Sequence, residues 1–283
     1  MSMLLRGAPA AAALNEKTAQ LVSGLREKGV VPTLAIVRLG AREDDLSYER
    51  AAVKRCAAVG IETRCVSLPE NVSGEALEET LRALSADASV HGILLLRPLP
   101  AALDEARILR AITPEKDVDG ITAIAQSKVF TGAGAGYPPC TAQAVIEILD
   151  HYGVELAGRR AAVIGRSLVV GRPVAMMLMA RDATVTLCHT RTEDLPEICR
   201  QADILVSAAG RAGLVTGAFT RPGQVIVDVG INVRAGKLCG DVDFAAAEPL
   251  VGAITPVPGG VGLMTRAMLM KNTVKAARLQ SGL

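Results

Sequence analysis

The chain contains no tryptophan, and tyrosine and phenylalanine number only three each among 283 residues. Stacking platforms of the kind that carry single-stranded nucleic acid are therefore missing as a pattern. A charge excess is missing too: 31 lysines and arginines stand against 29 acidic residues, scattered along the chain rather than gathered into a tract or arm. This argues against nucleic acid as a main partner. The six cysteines, Cys56, Cys65, Cys140, Cys188, Cys199 and Cys239, form no Cys-x-x-Cys pair, and the three histidines are dispersed. Reduced structural thiols are expected, with no metal site. No apolar run has the length of a membrane span. The start MSMLLRGAPAAAALNEKTAQ passes from a short apolar run into a charged amphipathic pattern, which reads as part of the fold of a cytoplasmic protein with no membrane partner.

What is present is an alternation. Helical spacing over residues 10 to 29 precedes the apolar strand VVPTLAIVRLG, the polar segment AREDD and a helix from about Ser47 to Val59. IETRCVSLP reads as a strand, NVSGEALEETLRALSAD as a helix, and HGILLLRPLP as a strand closed by Pro98 and Pro100. The Gly- and Pro-rich stretch KVFTGAGAGYPPC has no period and is the candidate crossing between domains. Beyond it AAVIG, ATVTLCH, DILVSAAG and QVIVDVGI read as buried parallel strands with helices between them. At this length a single core begins to divide, so two α/β domains are expected. The terminal stretch MTRAMLMKNTVKAARL looks helical, with Met264, Met268 and Leu269 available for a core face.

The chemistry concentrates after the strands. Gly165-Arg166-Ser167-Leu168-Val169-Val170-Gly171-Arg172-Pro173 follows a strand and opens a helix, where small residues let backbone amides approach a pyrophosphate. Its glycine spacing departs from GxGxxG, and a turn serving only helix-to-sheet packing is the alternative. The next strand ends at Cys188-His189-Thr190-Arg191, without the carboxylate that would accept from ribose hydroxyls. Arg191 and Arg166 can instead pair with a 2′-phosphate, which favours NADP over NAD. Further turns at Ala208-Ala209-Gly210, Val229-Gly230-Ile231 and Pro258-Gly259-Gly260-Val261 also follow strand ends, where an open parallel sheet binds ligands. Lys116-Asp117-Val118-Asp119-Gly120 places two carboxylates near the crossing, either as ligand acceptors or as an ordinary charged turn. On the helix SYERAAVKRCAAVG, Tyr48, Ala52 and Arg55 share a face, whereas Lys54 is turned about 120° from Tyr48.

Taken in order, PEKDVDG, GRSLVVGRP, ATVTLCHTRT, ADILVSAAG, VIVDVGIN, GDVDF and TPVPGGVGLMT resemble the bifunctional methylenetetrahydrofolate dehydrogenase and methenyltetrahydrofolate cyclohydrolase family. The resemblance implies an α/β protein of two domains: a folate-substrate domain over 1–137, a Rossmann-like NADP domain over 138–263, and a C-terminal helix over 264–283 that returns to complete the substrate domain. It implies a cleft between the two domains and a homodimer formed through the cofactor domain. Carried over, Tyr48 and Asp119 become the catalytic-site residues, Tyr48 orienting the folate and Asp119 bonding the pterin. Asp117 shapes the turn, Pro98, Leu99 and Pro100 line the pocket, and Gly259, Gly260 and Val261 approach substrate and nicotinamide. Gly165, Arg166, Ser167, Gly171, Pro173, Arg191, Gly210 and Ile231 form the NADP site.

Two positions depart from the family. Its lysine four residues after the tyrosine is Ala52 here, and its glutamine before the LPLP turn is Leu96. Those residues serve the hydrolytic half-reaction in the family, so the sequence leads to the expectation of a dehydrogenase whose cyclohydrolase activity is weak or lost. Another two-domain oxidoreductase, such as one acting on a polar ring acid, and a non-catalytic dinucleotide-binding protein remain open on the residues alone.

Overall fold

The computed structural model describes residues 2–283 and divides into two compact units. One comprises residues 13–140 and 269–283, the other residues 1–12 and 141–268.

In the first unit the strands β2 (Thr33–Leu39), β3 (Glu62–Leu68) and β4 (Gly92–Leu95) form a parallel sheet of order β3-β2-β4. The helices are most of α1 (Gly7–Arg26), then α2 (Glu43–Ala58), α3 (Gly74–Ala86), α4 (Glu105–Leu109) and α5 (Ala123–Thr131). Successive strand side chains alternate between faces. Ala35, Val37 and Leu39 therefore turn together into a core shared with Leu77, Leu81 and Leu84 of α3. Leu77 and Leu81 are wholly buried, each contributing about 2 kcal/mol of transfer free energy. Helix α2 begins four residues earlier than the sequence pattern indicates. Its first turn is Glu43-Asp44-Asp45, read from the sequence only as part of a polar segment. Three carboxylates there complement the positive end of the helix dipole.

The second unit holds β1 (Met3–Leu4), α6 (Cys140–His151) apart from its first residue, β5 (Arg160–Ile164), α7 (Gly171–Met179), β6 (Thr184–Cys188), α8 (Leu195–Gln201), β7 (Ile204–Ser207) and β8 (Val225–Asp228). A small antiparallel ribbon, β9 (Asn232–Arg234) with β10 (Lys237–Cys239), precedes α9 (Phe244–Ala247), β11 (Ala253–Ile254) and α10 (Val261–Gln280). Six strands run parallel in the order β1-β11-β8-β7-β5-β6. The chain leaves β5 for β6 on one side and then returns to β7 on the other, so the order reverses at β5. A crevice at the carboxyl ends of β5 and β7 is the ligand position this topology creates.

Strands β5, β7 and β8 are buried almost throughout, as their continuous apolar runs require, whereas β6 lies at the sheet edge and buries only Cys188 fully. Residues 1–12, placed with the folate domain by sequence order, group with the second unit because β1 pairs with β11, Met3 opposite Ala253. The terminal helix divides between the units at 268/269, and its last part belongs to the first unit. Among the described residues no helix is long and apolar enough to cross a membrane.

Candidate active site

In the six-stranded unit, β5 ends at Ile164 and the chain turns on Gly165 at φ +113°. A Cβ on Gly165 would strike the Ala208 carbonyl, and one on Gly171 would strike the carbonyl of Gly165. The loop is therefore folded tightly on itself and against the turn after β7, which only glycine permits. Ser167 Oγ accepts from the amides of Val170 (3.2 Å) and Gly171 (3.4 Å), rounding the chain into α7. Pro173 falls in the first helical turn, where its missing N–H leaves no bond unmade. Arg166, Ser167 and Leu168 are exposed.

After β6, the His189 amide donates to Thr192 Oγ1 (2.9 Å) and the Arg191 amide to His189 Nδ1 (3.2 Å), a turn closed on itself. His189 is thus a turn-former. The Arg191 side chain is exposed, and neither Arg191 nor Arg166 is ion-paired with any described residue.

A buried carboxylate pair behind these turns was not assigned from the sequence, although GDVDF and VIVDVGIN contain it. Asp241 accepts from the amides of Ala209 (2.7 Å), Gly210 (3.1 Å) and Arg211 (2.8 Å), and from Asn232 Nδ2 (2.9 Å). It thereby holds the turn that carries Gly210. Asp228 accepts from Gly230 (2.9 Å), Asp241 (3.0 Å) and Val242 (2.9 Å). Burial pushes the Asp228 carboxyl up to about 6 against the pull of these amides. The signal was absent because a strand-end aspartate reads alike whether it meets ligand or backbone. Ile231 is 71% exposed on the approach to β9, and Gly259 at φ +107° accepts the Gly7 amide at 2.8 Å. Gly260 packs against Gly7, and Val261 is buried at the start of α10.

In the three-stranded unit, Leu39, Arg42, Asp45, Glu70, Leu96 and Pro98-Leu99-Pro100 surround a small pocket of about 80 Å³. Arg42 bridges Asp45 Oδ2 (2.7 Å) and the Pro98 carbonyl (3.2 Å). Tyr48 is half-buried on α2, and Ala52, one turn on, is buried. Glu49, three residues before Ala52, pairs with the buried Arg38 of β2 at 3.1 Å. Asp117 is turned inward: its carboxylate accepts from the amides of Gly120 (3.0 Å), Ile121 (3.0 Å) and Thr122 (2.8 Å). It shapes the turn, leaving Asp119 as the carboxylate that turn presents. Partial burial and the neighbouring Asp117 raise the Asp119 carboxyl above the ordinary aspartate range, while Arg97 and the Cys140 thiol pull it back. Arg97 also pairs with Glu105 at 2.9 Å.

Comparison with known proteins bears on both units. Residues 5–119 match the family model described as the catalytic domain of tetrahydrofolate dehydrogenase/cyclohydrolase, and residues 139–281 match its NAD(P)-binding domain. The bifunctional protein FolD of Carboxydothermus hydrogenoformans is 49% identical over 286 aligned positions, covering 100% of both chains. Among solved structures, the bifunctional FolD of Campylobacter jejuni superposes with a TM-score of 0.95 at 39% identity, covering 99% of each chain. The Trypanosoma brucei enzyme, solved with NADP and an inhibitor, gives 0.92 at 37% identity, covering 100% of this chain and 99% of that one. These full-length matches to bifunctional enzymes overturn the expectation, drawn from Ala52 and Leu96, that the chain stands apart as a dehydrogenase with a failing hydrolytic half. The likeness covers both units and the whole length, and it outweighs two side chains: this chain belongs to the tetrahydrofolate dehydrogenase/cyclohydrolase family.

Proposed function

We propose that the chain oxidises 5,10-methylenetetrahydrofolate with NADP as hydride acceptor and hydrolyses the methenyl product to the formyl derivative. The observation that carries the cofactor assignment is the pairing of the tight Gly165–Gly171 loop at a helix N-terminus with a β6 end that offers Arg191 and no carboxylate. The loop fits a pyrophosphate, since side chains that would keep it away are absent where the backbone folds closest. Bound there, NADP supplies a nicotinamide carbon able to take hydride. Arg191 and Arg166 bind the 2′-phosphate, Asp241 fixes the turn carrying Gly210, and Gly259, Gly260, Val261 and Ile231 complete this half of the site.

On the folate half, the methylene carbon sits between two nitrogens whose lone pairs spread the charge as hydride departs. Positioning therefore does most of the work, and no side-chain base is needed. Asp119 accepts from the pterin, Tyr48 orients it, and Pro98, Leu99 and Pro100 line its pocket. Hydrolysis adds water to the methenyl carbon and must move protons as the ring opens. With Ala52 and Leu96 apolar, Tyr48 and Asp119 are the groups assigned to that task. Asp119 keeps a proton to higher pH than an ordinary aspartate does. The chain works as a homodimer: Val233, 71% exposed, and its cross-strand partner Leu238, 51% exposed, make an apolar surface on the β9–β10 ribbon. Following methenyl formation from methylenetetrahydrofolate and NADP tests this reading, and absence of product above an enzyme-free control would reject it.

A further inference from the structure

Asn272 lies on the terminal helix α10, in sequence 154 residues from the carbonyl its side chain reaches. It is 2% exposed, and its Nδ2 donates to the Val118 carbonyl at 2.9 Å. The same amide reaches Cys140 Sγ at 3.5 Å, and the Cys140 thiol donates to that same Val118 carbonyl at 3.2 Å. One residue further along, the Cys140 amide donates to the Asp119 carbonyl at 3.1 Å. Two successive carbonyls, those of Val118 and Asp119, are therefore tied by three donors from outside the turn. Just before Cys140 in the chain, the Pro138–Pro139 backbone presses on Gly120, where a Cβ would meet the Pro138 carbonyl carbon at 2.5 Å. Asp117 closes the turn from within through its three amide bonds.

A surface turn has no need of such fixing. A carboxylate that must meet one face of a rigid heterocycle does, because a shift of an ångström breaks its hydrogen bonds. We propose that Asn272 is a positioning residue for Asp119, with Cys140 as the second clamp on the same carbonyl. The buried amide of α10 holds the Val118–Asp119 backbone so that the Asp119 carboxylate is presented in one orientation. This rests on the reading of Asp119 as the pterin acceptor. It gives the last turns of α10 a task in the chemistry beyond covering a core. The neighbouring Thr273 makes a bond of a different kind, from Oγ1 to the Leu269 carbonyl within the helix at 2.8 Å.

The test is a double-mutant cycle of Asn272→Ala and Asp119→Asn, with steady-state kinetics for methylenetetrahydrofolate and NADP and a thermal melt for each protein. Asn272→Ala is expected to lower kcat/KM for the folate about tenfold, leave KM for NADP unchanged, and add little in the Asp119→Asn background. Asn272→Ser, which keeps a donor, recovers part of the loss. Thr273→Val lowers the melting temperature without this kinetic signature. A full additional loss in the Asp119→Asn background overturns the proposal, as do wild-type folate kinetics in Asn272→Ala while Asp119→Asn is impaired. If Asp119→Asn itself leaves folate kinetics unchanged, the underlying reading of Asp119 fails and the proposal falls with it. Should Asn272→Ala not fold, Asn272→Leu removes the same donor at similar volume: the same signature supports the positioning role, and wild-type folate kinetics overturn it.

Discussion

A guanidinium at the end of β6 can alter which dinucleotide a parallel-sheet unit prefers, because a 2′-phosphate adds charge where ribose hydroxyls offer only neutral donors. Arg191→Ala is expected to cut the ratio of kcat/KM for NADP over NAD about tenfold, the worth of a charge-assisted contact. Paired kinetics with both cofactors check it, and an unchanged ratio removes Arg191 from the site. At the folate half, the proposed pterin contact requires Asp119 to be ionised. Burial and Asp117 hold its carboxyl above the ordinary range, so the acid limb of kcat/KM for folate is expected at higher pH than a free aspartate would give. Arg97 opposes that rise. Arg97→Leu is therefore expected to move the acid limb to still higher pH, and a pH profile that stays in place would show that Arg97 does not act on Asp119.

The loops at strand ends carry the burdens that individual helices and strands do not. Gly171→Ala would press a methyl into the Gly165 carbonyl and is expected to cost about 2 kcal/mol of stability together with NADP affinity, read by chemical denaturation and by NADP titration. Behind the loops, Asp228 couples the six-stranded unit to pH. Its folded value of about 6 lies above that of an unfolded aspartate, so the native state holds the proton more tightly. The contribution is present in full below about pH 4 and is lost as pH rises to about 6, on the order of 3 kcal/mol. Asp228→Asn is expected to flatten that fall, and an identical slope in both proteins would remove Asp228 as its source.

These elements also show what the sequence could and could not tell. Buried strands β5, β7 and β8 announce themselves by continuous apolar runs, and the glycine loop by small residues between strand and helix. The first turn of α2 did not, because Glu43-Asp44-Asp45 has the composition of a loop until a helix dipole is there to use it. The pairing of β1 with β11 spans most of the chain and leaves no local trace. The same is true of the hydrogen bond from Asn272 to Val118.

At the scale of the whole molecule, two halves each legible as α/β combine with a family likeness that covers the full length, and that likeness settles what two substituted positions could not. Ala52 lies within α2 and Leu96 just after β4, and neither interrupts an element. Assembly is the next level up. Light scattering at micromolar concentration is expected to give a dimer mass, and Val233→Asp on the exposed ribbon a monomer, whereas a wild-type monomer would exclude the homodimer. The most direct measurement is one reaction followed two ways: purified protein with methylenetetrahydrofolate and NADP, recording NADPH and the methenyl product together against an enzyme-free control. NADPH should form only with enzyme, methenyl should fall short of it by the amount hydrolysed, and purified methenyltetrahydrofolate should decay faster with enzyme than in buffer alone. No NADPH above the control would contradict the dehydrogenase, and methenyl accumulating one for one with NADPH while decaying at the buffer rate would contradict the bifunctional assignment.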